Sequence, residues 1–386
     1  MDYSKICVLL VDGGDRQILP FAKALKKLGC KVATLNGSRL DLGYVSKYPD
    51  EKILDKSIQH DKKAHIAAIR RCIESKRYQL VVPTTDDTAE ALSLMKDEYR
   101  DIVRIAIPAP DLFYMAYDKN KLMKVCMDNK IPCPNTFFNI TDVGSLLEKD
   151  FQYPIVVKPR KGFGAIGFHK VDDESRLKSL SENLKDDVAS YVFQEYIPQT
   201  DLQYKCAIFI DNSNEITSAC VYAKNRWFPI DGGSSTCNVT VDRPDIIETC
   251  SKLLKTIGWR GAADIDLIQD PRDGIAKVMD FNPRISGSVK IAFEAGVDIA
   301  QQMLQLAFDE PVTHVPTYEN DVCLRCIHTD ILWFLKSDNR FKTSPSWFSW
   351  KNTTDQIWYW RDPLPFVTFS IQAVLKYKRE MKKRAR

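Results

Sequence analysis

Several absences narrow what this chain can be. No apolar run in its 386 residues reaches the roughly 18 needed to cross a bilayer as a helix. The opening Met1-Asp2-Tyr3-Ser4-Lys5-Ile6 lacks a basic start followed by a long apolar stretch, which argues against a secretory leader. The eleven cysteines are odd in number and follow no framework spacing. They read as buried thiols of a reducing compartment, so a cytoplasmic location is expected. Cys323-Leu324-Arg325-Cys326 is a CxxC without a second pair. It lies in a strand-like run, where residues three apart face opposite ways, so structural cysteines are expected there. Internal repeats and low-complexity segments are also missing, and no glycine occurs after Gly296.

The charge is close to balanced. The net value is +4, but the last eleven residues, Lys376 to Arg386, carry +6, leaving the first 375 at −2. This is not the distribution of a general nucleic-acid binder, so no nucleic-acid partner is expected. Hydrophobic content of 44% and charged content of 27% are those of an ordinary globular protein, and the length suits two or three domains.

Apolar runs at 5–11, 31–35, 80–83 and 103–108 alternate with helical spacing at 17–28, 64–75 and 87–95. This is the β-α-β pattern of a small parallel sheet with helices on both faces. After helices over 111–130, short strands joined by turns (153–158, 167–171, 192–196, 204–210, 216–223) give way to a helix near 244–257. Strands at 262–268 and 275–281 and a helix near 288–308 follow. That is an α+β pattern. Five of the seven tryptophans fall after residue 330.

Two stretches carry the chemistry. Gly162-x-Gly164-x-x-Gly167 matches a dinucleotide fingerprint literally, but the following Phe168-His169-Lys170-Val171 alternates like a strand. The helix that must follow such a fingerprint is absent. The loop is therefore expected in a β-hairpin, where its backbone N–H groups can still fold over phosphates. Lys158 on the preceding strand supplies a point charge, with Lys161 at the start of the loop. In the second stretch, Asp280, Asn282 and Arg284 share one face of a strand. A hairpin through 270–274 brings Asp266 beside Asp280. Carboxylate and amide oxygens suit Mg²⁺, and arginine clamps phosphate oxygens.

On these residues the chain resembles the ATP-grasp superfamily, in its carboxylate–amine ligase and carbamoyl-phosphate-synthetase-like branch. The resemblance covers roughly residues 5–310. It implies an α/β preATP-grasp domain with a Rossmann-like parallel sheet over 1–110. An α+β ATP-grasp domain over 111–311 follows, divided near 190, and then a short Trp-rich C-terminal extension over 312–386. It implies ATP contacts from Lys119, Lys158, Lys161, Gly162, Gly164 and Gly167, an adenine hinge at Gln194, Glu195 and Ile197, and a ribose acid at Asp201. Metal ligands would be Asp266, Asp280 and Asn282, with two Mg²⁺ ions and Mn²⁺ as a substitute. Arg284 and Lys158 would act on the transferred phosphoryl group. Arg226, Gly232, Gly233, Ser286, Gly287, Ser288 and Asp86 would border the substrates, with Lys224 beside Arg226 as a further basic candidate. The metal acid Asp280 and the ribose acid Asp201 stand where the family usually has the longer glutamate.

The activity so implied is ATP-dependent joining of a small carboxylic acid to an amine, in surface-polysaccharide or amino-acid-conjugate synthesis. Carbamoyl-phosphate or carboxylase chemistry is the alternative, weakened by the lack of a biotin-carrier motif or a glutaminase Cys–His context. A non-catalytic ATP-binding scaffold is the alternative of another class. A homodimer is expected. The segment 365–386, apolar first and then basic, can form an amphipathic helix that touches an anionic membrane surface, although packing on the body is the commoner fate of such a helix.

Overall fold

A computed structural model describes residues 1–384 except 60, 163–166, 199–202 and 231–232; the side chains of 185–186 and 376–384 also lie outside the description. The N-terminal unit is a five-stranded parallel sheet of β1 (Cys7–Leu10), β2 (Lys31–Asn36), β3 (Glu51–Leu54), β4 (Leu80–Val82) and β5 (Arg104–Ile105), in the order β3-β2-β1-β4-β5. Strands buried on both faces need continuous apolar runs, and Val8, Leu9 and Leu10 are all fully buried. β3 departs from that pattern. Its Glu-Lys-Ile-Leu is only half-buried because it forms the sheet edge, and its alternation is too short to stand out from a loop.

A small antiparallel sheet follows, with β6 (Thr136–Phe137), β7 (Ile155–Pro159), β8 (His169–Val171) and β9 (Tyr191–Glu195) in the order β6-β9-β7-β8. β7 and β8 pair as the expected hairpin, with the glycine loop between them. β9 completes this sheet, so its strands run to Glu195, past the division expected near 190.

The third sheet is the largest. It comprises β10 (Gln203–Ile210), β11 (Ile216–Phe228), β12 (Ser234–Thr240), β13 (Gly261–Gln269), β14 (Ala276–Asn282), β15 (Cys323–Arg325) and β16 (Thr353–Asp355), ordered β14-β13-β10-β11-β12-β15-β16. One face packs on helix Pro244–Ile257 through Leu253, Leu254 and Trp259. Part of the other face meets helices Ile18–Lys27 and Ile299–Ala307 through Phe209, Tyr222, Phe21 and Leu304. The helix expected over 288–308 is two, Lys290–Glu294 and Ile299–Ala307, separated at Gly296, whose φ of +94° no helix accommodates.

The segment after 312 is continuous with this sheet. β15 pairs with β12 and places Leu324 in the same core as Phe209 and Tyr222. Arg226, Asp330 and Arg325 form a buried ion triad behind it. Asp330 accepts from Arg226 Nε at 2.8 Å and Arg325 Nε at 2.8 Å, and also from the Thr236 hydroxyl. Lys290, 2% exposed, donates to the Asp355 and Trp358 carbonyls and lies 3.8 Å from the Tyr359 ring centre. Burial lowers its pKa to about 8. These are the bonds of an integral element, and they explain why a glycine-free, Trp-rich stretch holds a fixed shape.

Cys323 and Cys326 do not meet. Cys323 lies 3.6 Å from Cys237, and Cys326 accepts from Arg16. Among the described residues no helix is long and apolar enough to cross a membrane. The final helix, Leu364–Arg384, packs through Phe366 and Phe369 and leaves Leu364, Val367, Ile371 and Val374 exposed.

Candidate functional site

The β13–β14 hairpin sets the site. Register places Asp266 opposite Asp280 and Asp264 opposite Asn282, so all four side chains stand on one face. Met279 is an extra residue in β14 between the Asp266–Asp280 and Leu267–Val278 pairs. Such a bulge re-aims neighbouring groups, and the Met279 carbonyl accepts from Lys158 Nζ at 3.3 Å.

Three acids crowded on one face of a largely apolar sheet need compensation. Lysines from the neighbouring strands supply it. Lys205 Nζ lies 2.5 Å from Asp264 and 3.0 Å from Asp266, and Lys224 Nζ lies 2.5 Å from Asp266. Lys119 Nζ is 3.2 Å from Asp280 and also donates to the Gly162 carbonyl. Asp264 further accepts from the Tyr222 hydroxyl, and Asn282 donates to Asp266 at 2.8 Å. Burial opposes the charge on Asp266, but Lys205 and Lys224 outweigh it and hold the carboxyl well below the usual range. Lys158 lacks a carboxylate at ion-pair distance among the described residues. Burial lowers its pKa to about 8, with Asp280 partly opposing that shift.

The glycine loop is anchored at both ends. Arg160 makes a two-pronged pair with Asp118 (2.6 and 3.0 Å), and the Lys119 N–H bonds the Arg160 carbonyl. Gly162 has φ +113° and Gly167 φ +73°, and a Cβ on Gly167 would meet Pro159 at 2.9 Å. Lys161 reaches across to Glu90, at 3.2 Å, on the N-terminal unit. Gly164 lies outside the described residues, as do Asp201 and Gly232. Where the adenine hinge is expected, Gln194 is buried on Thr136, and the Glu195 N–H is taken by the Asn135 carbonyl. The Glu195 carboxylate pairs with Arg272. Ile197 is buried beyond them.

Arg284 extends from the end of β14 to the N-terminal unit, where its Nε lies 2.6 Å from Asp86 at the start of helix Asp86–Met95. Asp86 is thus the partner of this arginine. Beside it, Asp12 accepts from the N–H groups of Thr84 and Thr85 and from the Thr88 hydroxyl. Burial and the neighbouring Asp12 raise the Asp15 pKa to about 7, with Arg284 and Arg16 opposing.

Ser286 is buried, its hydroxyl bonds the Ser288 N–H, and the Gly287 carbonyl accepts from Gln356. Residues 286–288 therefore adjoin both Arg284 and the C-terminal strands. Two of the expected substrate-lining residues do not join the cluster. Arg226 is enclosed with Asp330, because the β-bulge between Lys224 and Arg226 separates their directions. Gly233 sits tight on the Phe228–Pro229 backbone, where a Cβ would fall 2.3 Å from Phe228, so it serves the turn. Lys205 and Tyr222 were missed by motif, yet a lone lysine within Tyr204-Lys205-Cys206-Ala207-Ile208-Phe209-Ile210 carries a signal, since an unpaired cation has no place in such a strand.

No group of three His, Cys, Asp or Glu forms a closed metal cage among the described residues. Two facing carboxylates and an amide still fit a hard cation that completes its shell with phosphate oxygens and water, and the three lysine ammoniums already occupy cation positions there.

Comparison with known proteins agrees with this geometry. Residues 116–288 match the family model described as an ATP-grasp domain. The D-aspartate ligase of Enterococcus faecium is 24% identical over 258 residues, covering 61% of this chain and 60% of that protein. The carbamoyl phosphate synthase large chain of Pseudothermotoga lettingae is 24% identical over 315 residues, 76% of this chain but 27% of that protein. The chain thus spans 60% or less of the curated relatives it matches. Among solved structures, biotin carboxylase of Campylobacter jejuni superposes with TM-score 0.68 at 16% identity, covering 82% of this chain and 74% of that one. The L-amino acid ligase of Bacillus licheniformis gives 0.60 at 17%, covering 80% and 75%. These likenesses establish the fold.

Proposed function

We propose, for a chain that carries an ATP-grasp domain over residues 116–288, that it is an ATP- and Mg²⁺-dependent ligase joining a small carboxylic acid to an amine. The observation that carries this reading is the one-face array of Asp266, Asp280 and Asn282 with Lys119 and Lys158 above it and Arg284 at its end. The D-aspartate ligase relative points the same way.

In this reading the nucleotide lies between the small sheet and the β10–β14 face. Lys119 and Lys158 meet its phosphates, and the glycine loop covers them. Asp266, Asp280 and Asn282 would hold Mg²⁺, which neutralises charge on the β- and γ-phosphates when bound. The acid's carboxylate oxygen attacks the γ-phosphorus and the β,γ-bridging oxygen leaves with ADP. The amine nitrogen then attacks the acyl carbon, loses its proton and expels phosphate. No protein nucleophile is required, so the chain's work is positioning and charge compensation, with Arg284 on the phosphoryl oxygens.

A screen of ADP release over amino acids and sugar acids paired with amines tests this. Turnover is expected only when acid and amine are both present, with a product mass equal to their sum less water. Release driven by bicarbonate alone would instead identify carbamoyl-phosphate or carboxylase chemistry. Nucleotide binding without turnover on any pair would identify a scaffold.

The same reading includes peripheral contact with an anionic membrane. It is supported by the exposed Leu364, Val367, Ile371 and Val374 at helical spacing, by Trp360 (87% exposed) just before them, and by the basic residues that follow in sequence. The full chain should sediment with anionic liposomes and a chain ending at Pro363 should not; equal sedimentation rules the contact out.

A further inference from the structure

The metal-facing side of the large sheet continues past the acids. Lys205, Asp266 and Asp280 form one row across β10, β13 and β14; Ala207, Asp264 and Asn282 form the next; Phe209 and Ala262 begin a third, beside Arg284. Rows two residues apart are separated by about 7 Å. The third row opens into a cleft of about 320 Å³ between this sheet, β5 and helix Ile299–Ala307, a volume in the range of small-ligand sites.

Its lining is one-sided in charge. The ionisable residues are Lys96, Arg100, Arg104, Arg260 and Arg284, with no acid among them. Among the described residues, only Arg284 of these is matched by a buried carboxylate, Asp86. Lys96 donates to the Ile105 and Ile107 carbonyls, Arg104 lies over the Phe308 ring, and Arg260 bonds Asn214 and the Trp259 carbonyl. Arg100 comes no nearer than 3.9 Å to its exposed neighbour Asp101. Between these cations the accessible walls are apolar: Ala106, Pro108, Ala262, Leu306 and Ala307. A cleft of this kind attracts an anion with a hydrocarbon body, and it begins one row from the acids that face the phosphates.

We propose that this cleft holds the acid to be activated, and that the acid carries a second anionic group. This rests on the ligase reading. The reacting carboxylate lies at Arg284, the carbon body against Ala262, Leu306 and Ala307, and the second negative group at Arg104 and Arg260. Arg104 and Arg260 act on ground-state binding of the far end, so their loss changes KM and not kcat.

Calorimetric titration of the full chain with succinate, adipate and phthalate, each against its monoamide, tests this directly, with and without Mg²⁺ and a non-hydrolysable ATP analogue. At least one diacid is expected to bind, its monoamide at least about tenfold more weakly, and Arg104→Gln or Arg260→Gln to weaken the diacid by about tenfold while leaving the monoamide unchanged. Equal diacid affinity in wild type and both variants, or no diacid binding to any form, overturns the proposal. The nucleotide analogue is titrated separately, so failure of nucleotide binding strikes the ligase reading, whereas diacid binding without nucleotide still reports on the cleft alone.

Discussion

Lys158→Met is expected to lower ADP release by about a hundredfold to a thousandfold in kcat/KM, the cost of removing one preorganised charge from a phosphoryl-transfer site. Of the lysines at the site, Lys119, Lys205 and Lys224 are paired with Asp280, Asp264 or Asp266, whereas among the described residues Lys158 bonds the bulged Met279 carbonyl and no carboxylate. Among the described residues its charge is therefore not committed to an acid. Burial lowers its pKa from 10.5 to about 8, so between those values the unfolded chain holds the proton more tightly than the fold does. Stability at pH 7 bears that penalty, and it disappears as pH rises from 8 to 10.5. The methionine variant should consequently gain about 1 kcal/mol at pH 7 in a urea titration, the full shift being discounted for partial exposure. In wild type the KM for ATP should climb above pH 8 as the ammonium deprotonates, and this limb should be missing in the variant. A variant that keeps full activity, or loses activity together with stability, contradicts the assignment.

Asp330→Ala should have the largest effect on the fold, a loss of about 3–5 kcal/mol. Asp330 is fully buried, and both Arg226 and Arg325 depend on it. Without it two guanidinium groups stay inside the protein, held among the described residues by the Pro345 and Trp347 carbonyls and the faces of Trp333, Trp347 and Trp350. Replacing all three triad members with Met or Leu of similar volume should recover most of the loss, since an apolar substitute leaves no unpaired charge. Chemical denaturation of the single and triple variants measures both. If Arg226 served substrate directly, the triple variant would fold and be inactive; near-normal KM values are expected instead.

Much of this site was legible because its chemistry follows strand alternation. Asp266, Asp280, Asn282 and Arg284 fall at alternate positions on two strands joined by an Asp-Pro-Arg-Asp-Gly turn, and pairing follows from that pattern. The glycine loop was separable from a dinucleotide fingerprint because strand spacing, not helical spacing, follows Gly167. Other parts resisted for physical reasons. A bulge at Lys224–Arg226 turned Arg226 into the interior, and a one-residue shift leaves no mark in sequence. Strands β15 and β16 are three residues each and acquire their meaning from β12, more than eighty residues earlier. Asp86 is expected beside the substrate because it lies at a C-terminal strand end, where open α/β sheets bind ligands; its arginine partner, 198 residues away, leaves no local mark.

That Arg284–Asp86 bond has a consequence for ancestry. Arg284, the proposed phosphoryl clamp, belongs to one half of the chain and its counter-charge to the other, so exchanging one half alone puts the pair at stake. A homologous N-terminal half grafted onto the C-terminal half must bring a carboxylate at the first turn of the helix after β4. Otherwise the arginine would be released from the N-terminal unit, and the graft would be a folded protein with a misdirected clamp. A carboxylate after β4 and the arginine after β14 are therefore expected to be kept or lost together among relatives.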